Sequence, residues 1–323
     1  MSDFSRKPRP ATATGFVFVA LAAVTWGSEG LFRRGLALEL PAGTVVMVEH
    51  VILVLVTLPL LIPALQLTKS FNLRDWLSLL IIGAGASALA TVLFTQAFIY
   101  GDPNTPLLLQ KLQPLFAIGG ATLLLQERLL PRFGFYLVAS LVGAYLITFP
   151  EPTRVSISAF TPAALALGAA ALWGFGTVLG RHLTGKVNFA SLTALRFAVG
   201  LPATVVIVFI QDRGDAISTI GGKEAFALLL LALVPGLLGL TLYYRGLRET
   251  PASAATLAEL AFPLTAVTVN YLAFDARMVG SQWVGLVVLS AAIVAMGLAS
   301  MRGNRAIGIE LPTAAPRDEP ARA

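Results

Sequence analysis

Eight polar side chains stand inside stretches that are otherwise apolar: Glu49, His50, Gln96, Gln110, Lys111, Gln113, Arg196 and Glu259. Charged and amide groups are costly in hydrocarbon, so they face protein or a water-filled cavity and mark a route for something polar. Pro114 and Pro263 sharpen the pattern, because each follows a polar residue, Gln110 or Glu259, by four positions. A proline inside a helix lacks the N–H that would bond the carbonyl four residues back. Polar side chain and freed carbonyl are therefore expected at one level. Depth along each span puts Glu49 and Lys111 near one membrane face, and Arg196 and Glu259 near the other. Two ion pairs are expected, Glu49–Lys111 and Arg196–Glu259, closing a cavity from either side in turn.

Other side chains are candidates for the same cavity. Trp26 and Trp173 are each followed by glycine. Their rings suit stacking on a substrate or anchoring at an interface, and the glycines favour burial against a neighbouring helix. His50 is read as an ordinary hydrogen-bonded helix residue rather than a proton sensor. Gln96, Gln113, Tyr243, Tyr244, Asn270 and Tyr271 suit the cavity wall or helix–helix hydrogen bonding equally.

Only membrane helices could position these groups. The 323 residues are 56% hydrophobic and 12% charged, more apolar surface than a water-soluble core can hide. There is no cysteine, which removes disulfides, thiol catalysis and cysteine metal sites together. The net charge of +6 comes without a long basic run, so it fits loops beside anionic lipid rather than nucleic acid. Runs of about 20 apolar residues, each able to cross the bilayer as a helix, fall near 13–36, 42–65, 75–100, 104–125, 132–150, 161–181, 188–210, 225–247, 252–273 and 279–301. Residues 1–12 and 302–323 read as tails. With the N-terminus cytoplasmic, that side collects fifteen lysines and arginines against six opposite; Lys111 and Arg196 complete the 23. That bias places both termini in the cytoplasm.

The chain also repeats itself. At an offset of 147, Trp26-Gly27 falls on Trp173-Gly174 and Glu49 on Arg196; at 149, Gln110 falls on Glu259 and Pro114 on Pro263. Five spans per half is an odd number, so the halves enter the membrane from opposite sides. Inverted repeats of this kind surround a midplane site in secondary transporters. The expected fold is an all-α integral membrane protein, with ten transmembrane helices as two inverted five-helix repeats, 13–150 and 161–301, around a central cavity.

These elements together resemble a known family. The Trp-Gly pairs, Glu49 and Arg196 in the second span of each half, Gln110 before Pro114, and Glu127-Arg128-Leu129 are similar to the EamA-type transporters of the drug/metabolite transporter superfamily. The second half, Glu259, Pro263 and Asp275-Ala276-Arg277, fits more loosely because the usual glutamate is displaced. The resemblance covers residues 13 to 301 and extends to the aromatic amino-acid exporter (YddG-like) subgroup. It implies alternating-access export of amino acids, aromatic ones included, or related small metabolites across a bacterial inner membrane. Lys111 and Arg196 suit a substrate carrying a carboxylate. The runner-up is an exporter of lipophilic cations or drugs, which would need an uncompensated carboxylate. A membrane enzyme or scaffold would need clustered catalytic residues or a large soluble loop, and the sequence has neither. Phosphate loops, metalloprotease motifs and nucleophile elbows are missing, so no enzyme activity, cofactor or metal is expected. The expected partners are a small-molecule substrate and membrane lipid, with no nucleic acid, and one chain acts as a monomer.

Overall fold

A computed structural model describes residues 13–99, 109–129, 132–155, 160–211, 214–273 and 278–306, and all regular structure among them is helical. Among the described residues, eight helices are long and apolar enough to cross a membrane, and Gln113–Leu124 and Phe133–Thr148 are shorter apolar ones. Leu123, Phe135, Phe160, Phe209 and Ile210 are among the many large apolar side chains left exposed. On a water-soluble protein that surface would aggregate, whereas in a bilayer it meets lipid tails.

Several expected spans are interrupted. The first is two helices, α1 (Ala13–Gly27) and α2 (Gly30–Glu39), and α3 (Ala42–Leu67) follows. The third combines α4 (Leu73–Leu80), a π-helical stretch (Ile81–Leu89) and α5 (Ala90–Ile99). The fourth has a turn at Lys111-Leu112 before α6 (Gln113–Leu124), and α7 (Phe133–Thr148) completes the first half. The second half holds α8 (Phe160–Thr184) and α9 (Phe189–Ile210), then α10 (Gly222–Leu231), a second π-helical stretch (Ala232–Gly239) and α11 (Leu240–Leu247). Its last helices are α12 (Ala252–Ala258), α13 (Ala261–Ala273) and α14 (Gly280–Ala306). The helix thus runs five residues into the expected C-terminal tail. The N-terminal tail and Asp275-Ala276-Arg277 lie outside the described residues.

Local chemistry explains many of these boundaries. Asn72 and Asn188 start α4 and α9, each accepting a bond from the backbone N–H three residues on, at Asp75 and Ser191. Gly83 and Gly85 in one π stretch, and Pro235, Gly236 and Gly239 in the other, disfavour regular α geometry. The two π stretches fall at corresponding positions of the halves.

The halves interlock rather than sit side by side. Helix α1 packs on α11, α13 and the second π stretch, all from the other half; its repeat partner α8 packs likewise on α5, α6 and the first π stretch. Helices α3 and α9, also repeat partners, lie against each other, and α7 lies against α14. The Trp-Gly pairs make the interlocking possible. A β-carbon on Gly27 would fall 2.7 Å from the Phe262 carbonyl, and one on Gly174 would fall 2.8 Å from the Gln113 carbonyl. Only glycine permits that approach. Positions 113 and 262 are themselves related by the repeat.

Candidate functional site

The interlocked halves surround a cavity of about 540 Å³ lined from α1, α2, α3, α5, α6, α8, α9, α11, α12, α13 and the two π stretches. Eleven of the thirteen expected site residues line it: Trp26, Glu49, His50, Gln110, Lys111, Gln113, Pro114, Trp173, Arg196, Glu259 and Pro263. Tyr244 stands just behind the wall, where its hydroxyl takes a hydrogen bond from Arg196. Gln96 is not part of the lining. Its repeat partner Arg245 likewise lies elsewhere, 4.3 Å above the ring of Phe18. Tyr271 is half-exposed on the outer surface near Trp283 rather than inside. The side chain of Asn270 lies outside the described residues.

Aromatic rings form two repeat-related walls. Trp26 lies 5.1 Å from Tyr243, and Trp173 lies 5.2 Å from Phe94, centroid to centroid. Each indole also ties the halves together. Trp26 Nε1 donates to the Pro235 carbonyl at 3.1 Å, and Trp173 Nε1 to the Ala86 carbonyl at 3.0 Å. Both acceptors belong to π stretches, where the shifted backbone pattern leaves carbonyls open to outside donors. Each tryptophan is thus partly buried against the opposite half and also lines the cavity.

The charged groups do not pair as expected. Glu49 accepts from Arg33 Nη2 at 3.2 Å, and the same guanidinium bonds Glu29, so Lys111 is not its partner. The break between α1 and α2 turns Arg33 back over α3. Glu259 accepts from Gln113 Nε2 at 2.8 Å and from Thr177 Oγ1 and the Tyr243 hydroxyl at 3.0 Å, so Arg196 is not its partner either. Arg196 instead bonds Ser87 Oγ at 2.6 Å and the Tyr244 hydroxyl at 2.9 Å. Lys111 forms no ion pair among the described residues; the ring of Phe262 lies 5.9 Å from its Nζ.

Backbone at the proline level also departs from the simple expectation. The carbonyl of Glu259 is not left free by Pro263, because the turn tightens and the Phe262 N–H takes it at 3.0 Å. His50 bonds the Val46 carbonyl through Nδ1 at 2.8 Å and packs edge-on to Phe197. Its Nε2 has no hydrogen-bond partner among the described residues, and the residue lines the cavity. Arg33, Glu29, Ser87, Phe94 and Thr177 were not anticipated. The spacing of Glu29 and Arg33, four apart on one helical face, was a usable signal; the others read as ordinary helix residues.

Polar ties also join elements beyond the cavity lining. Glu127 accepts from the backbone N–H groups of Ala252 and Ser253 at 2.8 and 3.0 Å, capping α12 from the other half. Arg181 Nη1 donates to the carbonyls of Leu247 and Arg248. Asp75, fully buried, holds Lys186 at 2.5 Å and His182 at 2.8 Å.

Comparison with known proteins agrees with this architecture. The model of the EamA-like transporter family matches twice, over residues 13–149 and 161–298. The chain is 32% identical over 267 residues to a protein of Fusobacterium nucleatum named riboflavin transporter ImpX, covering 80% of this chain and 89% of that one. It is 23% identical over 303 residues to YicL of Salmonella typhimurium, named as an uncharacterized inner membrane transporter, covering 92% and 99%. A solved crystal structure at 16% identity superposes with a TM-score of 0.71, covering 92% of this chain and all of the other, and shares the fold.

Proposed function

Since this chain belongs to the EamA-like transporter family, we propose that its cavity carries a flat ring-bearing metabolite, a flavin foremost, by alternating access. The observation that carries this reading is the pair of aromatic walls, Trp26–Tyr243 and Phe94–Trp173, facing one space of about 540 Å³. Such rings stack on a planar heterocycle in offset or edge-to-face geometry, and the volume is that of a small-molecule site. The relative named a riboflavin transporter supports the same class. Amide and hydroxyl groups at Gln110, Thr91 and Thr95 supply hydrogen bonds for the polar edge of such a molecule.

Aromatic amino acids are the second reading, favoured by Lys111, which offers a cation for a carboxylate. Their ammonium group is served less well, since Glu29 and Glu49 share Arg33 and Glu259 already has three donors. Lipophilic cations fit worst for the same reason. Lysine and arginine bias supports cytoplasmic termini in an inner membrane. The repeat offsets support two inverted halves of five spans, and a cavity enclosed by one chain supports a working monomer.

Counterflow into liposomes decides between the readings. Vesicles loaded with unlabelled riboflavin, phenylalanine or tryptophan are given the labelled compound, with the Phe94→Leu variant alongside. Saturable riboflavin exchange, reduced about tenfold in the variant, is expected. Exchange of the amino acids alone would move the assignment to the second reading. No exchange of any of the three by folded protein would sink both.

A further inference from the structure

The two repeat-related helix breaks carry opposite chemistry. At the second-half break, Glu259-Leu260, a resident carboxylate stands at the N-terminal end of α13 and is satisfied by Gln113, Thr177 and Tyr243. At the first-half break, Lys111-Leu112, the position equivalent to Glu259 is the neutral Gln110, and Lys111 replaces Leu260. A helix N-terminus attracts negative charge through its unpaired N–H groups and the helix dipole. At one break the protein itself supplies that charge.

At the other break it supplies a second positive group. Lys111 is 92% buried, being 8% exposed, yet lines the cavity. It forms no ion pair among the described residues; Glu29 and Glu49, which line the same cavity, are held by Arg33. The twelve-residue helix α6 begins two positions later. A buried ammonium without a counter-ion is unfavourable until an anion arrives.

We propose that the first-half break is an anion subsite, where Lys111 and the N-terminus of α6 bind an acidic group of the substrate, a carboxylate or phosphate, while its ring lies between the aromatic walls. The subsite rests on the transport reading and narrows it: the favoured cargo is an anionic ring-bearing metabolite, and a neutral ring compound of the same shape binds less tightly. The substrate then does at Lys111 what Glu259 does at the equivalent break. Half-broken helices serve anionic groups in this way in transporters, and the lysine adds a full charge to the dipole.

The test uses full-length detergent-purified protein and two acid–neutral probe pairs. Flavin mononucleotide and riboflavin are followed by quenching of flavin fluorescence; indole-3-acetate and indole-3-acetamide are followed by thermal stabilisation. Wild type is compared with Lys111→Gln and Lys111→Arg. Expected is a preference for the acid in at least one pair, about tenfold or more, lost in Lys111→Gln and largely kept in Lys111→Arg. Binding of the neutral member should change by less than about threefold. Equal binding of acid and neutral probe, or equal weakening of both by Lys111→Gln, overturns the subsite while leaving ring binding intact. If neither flavin binds, the flavin reading fails and the indole pair still judges the subsite. An absence of acid preference there overturns it as well.

Discussion

A carboxylate inside an apolar span persists only where donors satisfy it, and Glu259 has three of them. Two come from its own half, Thr177 and Tyr243. The third, Gln113, crosses from the other half and makes Glu259 a tie between the two repeats. Gln113→Ala removes one charge-assisted bond and is expected to lower stability by about 1–3 kcal/mol. Gln110→Ala is the control; its amide faces the cavity without such a bond among the described residues, so a change within about 0.5 kcal/mol is expected. Thermal unfolding in one detergent compares the two, and equal shifts would refute the tie. Glu259 was legible in the sequence because a proline four residues later marked its level. Its partners were not. Nothing local in Thr177 or Tyr243 tells which of many apolar-span hydroxyls will face a carboxylate 82 or 16 positions away. The expected pairing of Arg196 with Glu259 used charge and depth but took no account of rotation about the helix axis.

At the scale of elements, the spans could be read and the interruptions could not. Hydropathy over some twenty residues finds a membrane helix but averages over a two-residue turn or a π stretch. The breaks at Lys111-Leu112 and Glu259-Leu260 were half visible through Pro114 and Pro263, whereas the break after Gly27 gave no such sign. The Trp-Gly motif is better understood from the elements than from either residue. Tryptophan reaches a π-stretch carbonyl, and the glycine beside it lets the helix lie against the broken span of the opposite half. Gly174→Ala would place a β-carbon 2.8 Å from the Gln113 carbonyl and 2.9 Å from the Ala117 nitrogen, both backbone atoms. Overpacking of this kind costs about 1–3 kcal/mol. Gly27→Ala should cost a similar amount, since its equivalent neighbours are the Phe262 carbonyl at 2.7 Å and the Ala266 nitrogen at 3.1 Å. Size-exclusion survival after a heating series measures both. Gly35→Ala, with nothing within 4 Å, should behave as wild type. Matching losses at Gly27 and Gly174 would support equivalent roles for the two motifs, and a loss at only one would break that equivalence.

For the whole molecule, the question is what the contact between Glu127 and the opposite half does. The sequence motif Glu127-Arg128-Leu129 was recognisable, but its partner lies 125 residues away in the opposite half, and spacing of that kind encodes nothing locally. In the fold, Glu127 caps α12 from across the repeat boundary. It holds Ala252 and Ser253 by backbone and also bonds Ser253 Oγ at 2.9 Å. If the halves exchange shapes during transport, this cap must release. Losing a cap costs about 0.5–2 kcal/mol, enough to raise the population of the released state from a few-fold to tens of times. A cysteine-free chain makes that population measurable. Thr256 lines the cavity on α12, is 1% exposed, and its hydroxyl has no partner among the described residues, so Thr256→Cys fits with little disturbance. A membrane-impermeant maleimide applied to sealed vesicles at the Glu127 end should label this lone thiol slowly. Adding Glu127→Ala should speed labelling from that end at least about threefold. Labelling from the opposite side should fall or stay constant, because the same molecules spend less time in the state where Glu127 caps α12. Acceleration from both sides equally would mean that the cap only holds the helix together; acceleration from the Glu127 end alone identifies it as the closure of that end.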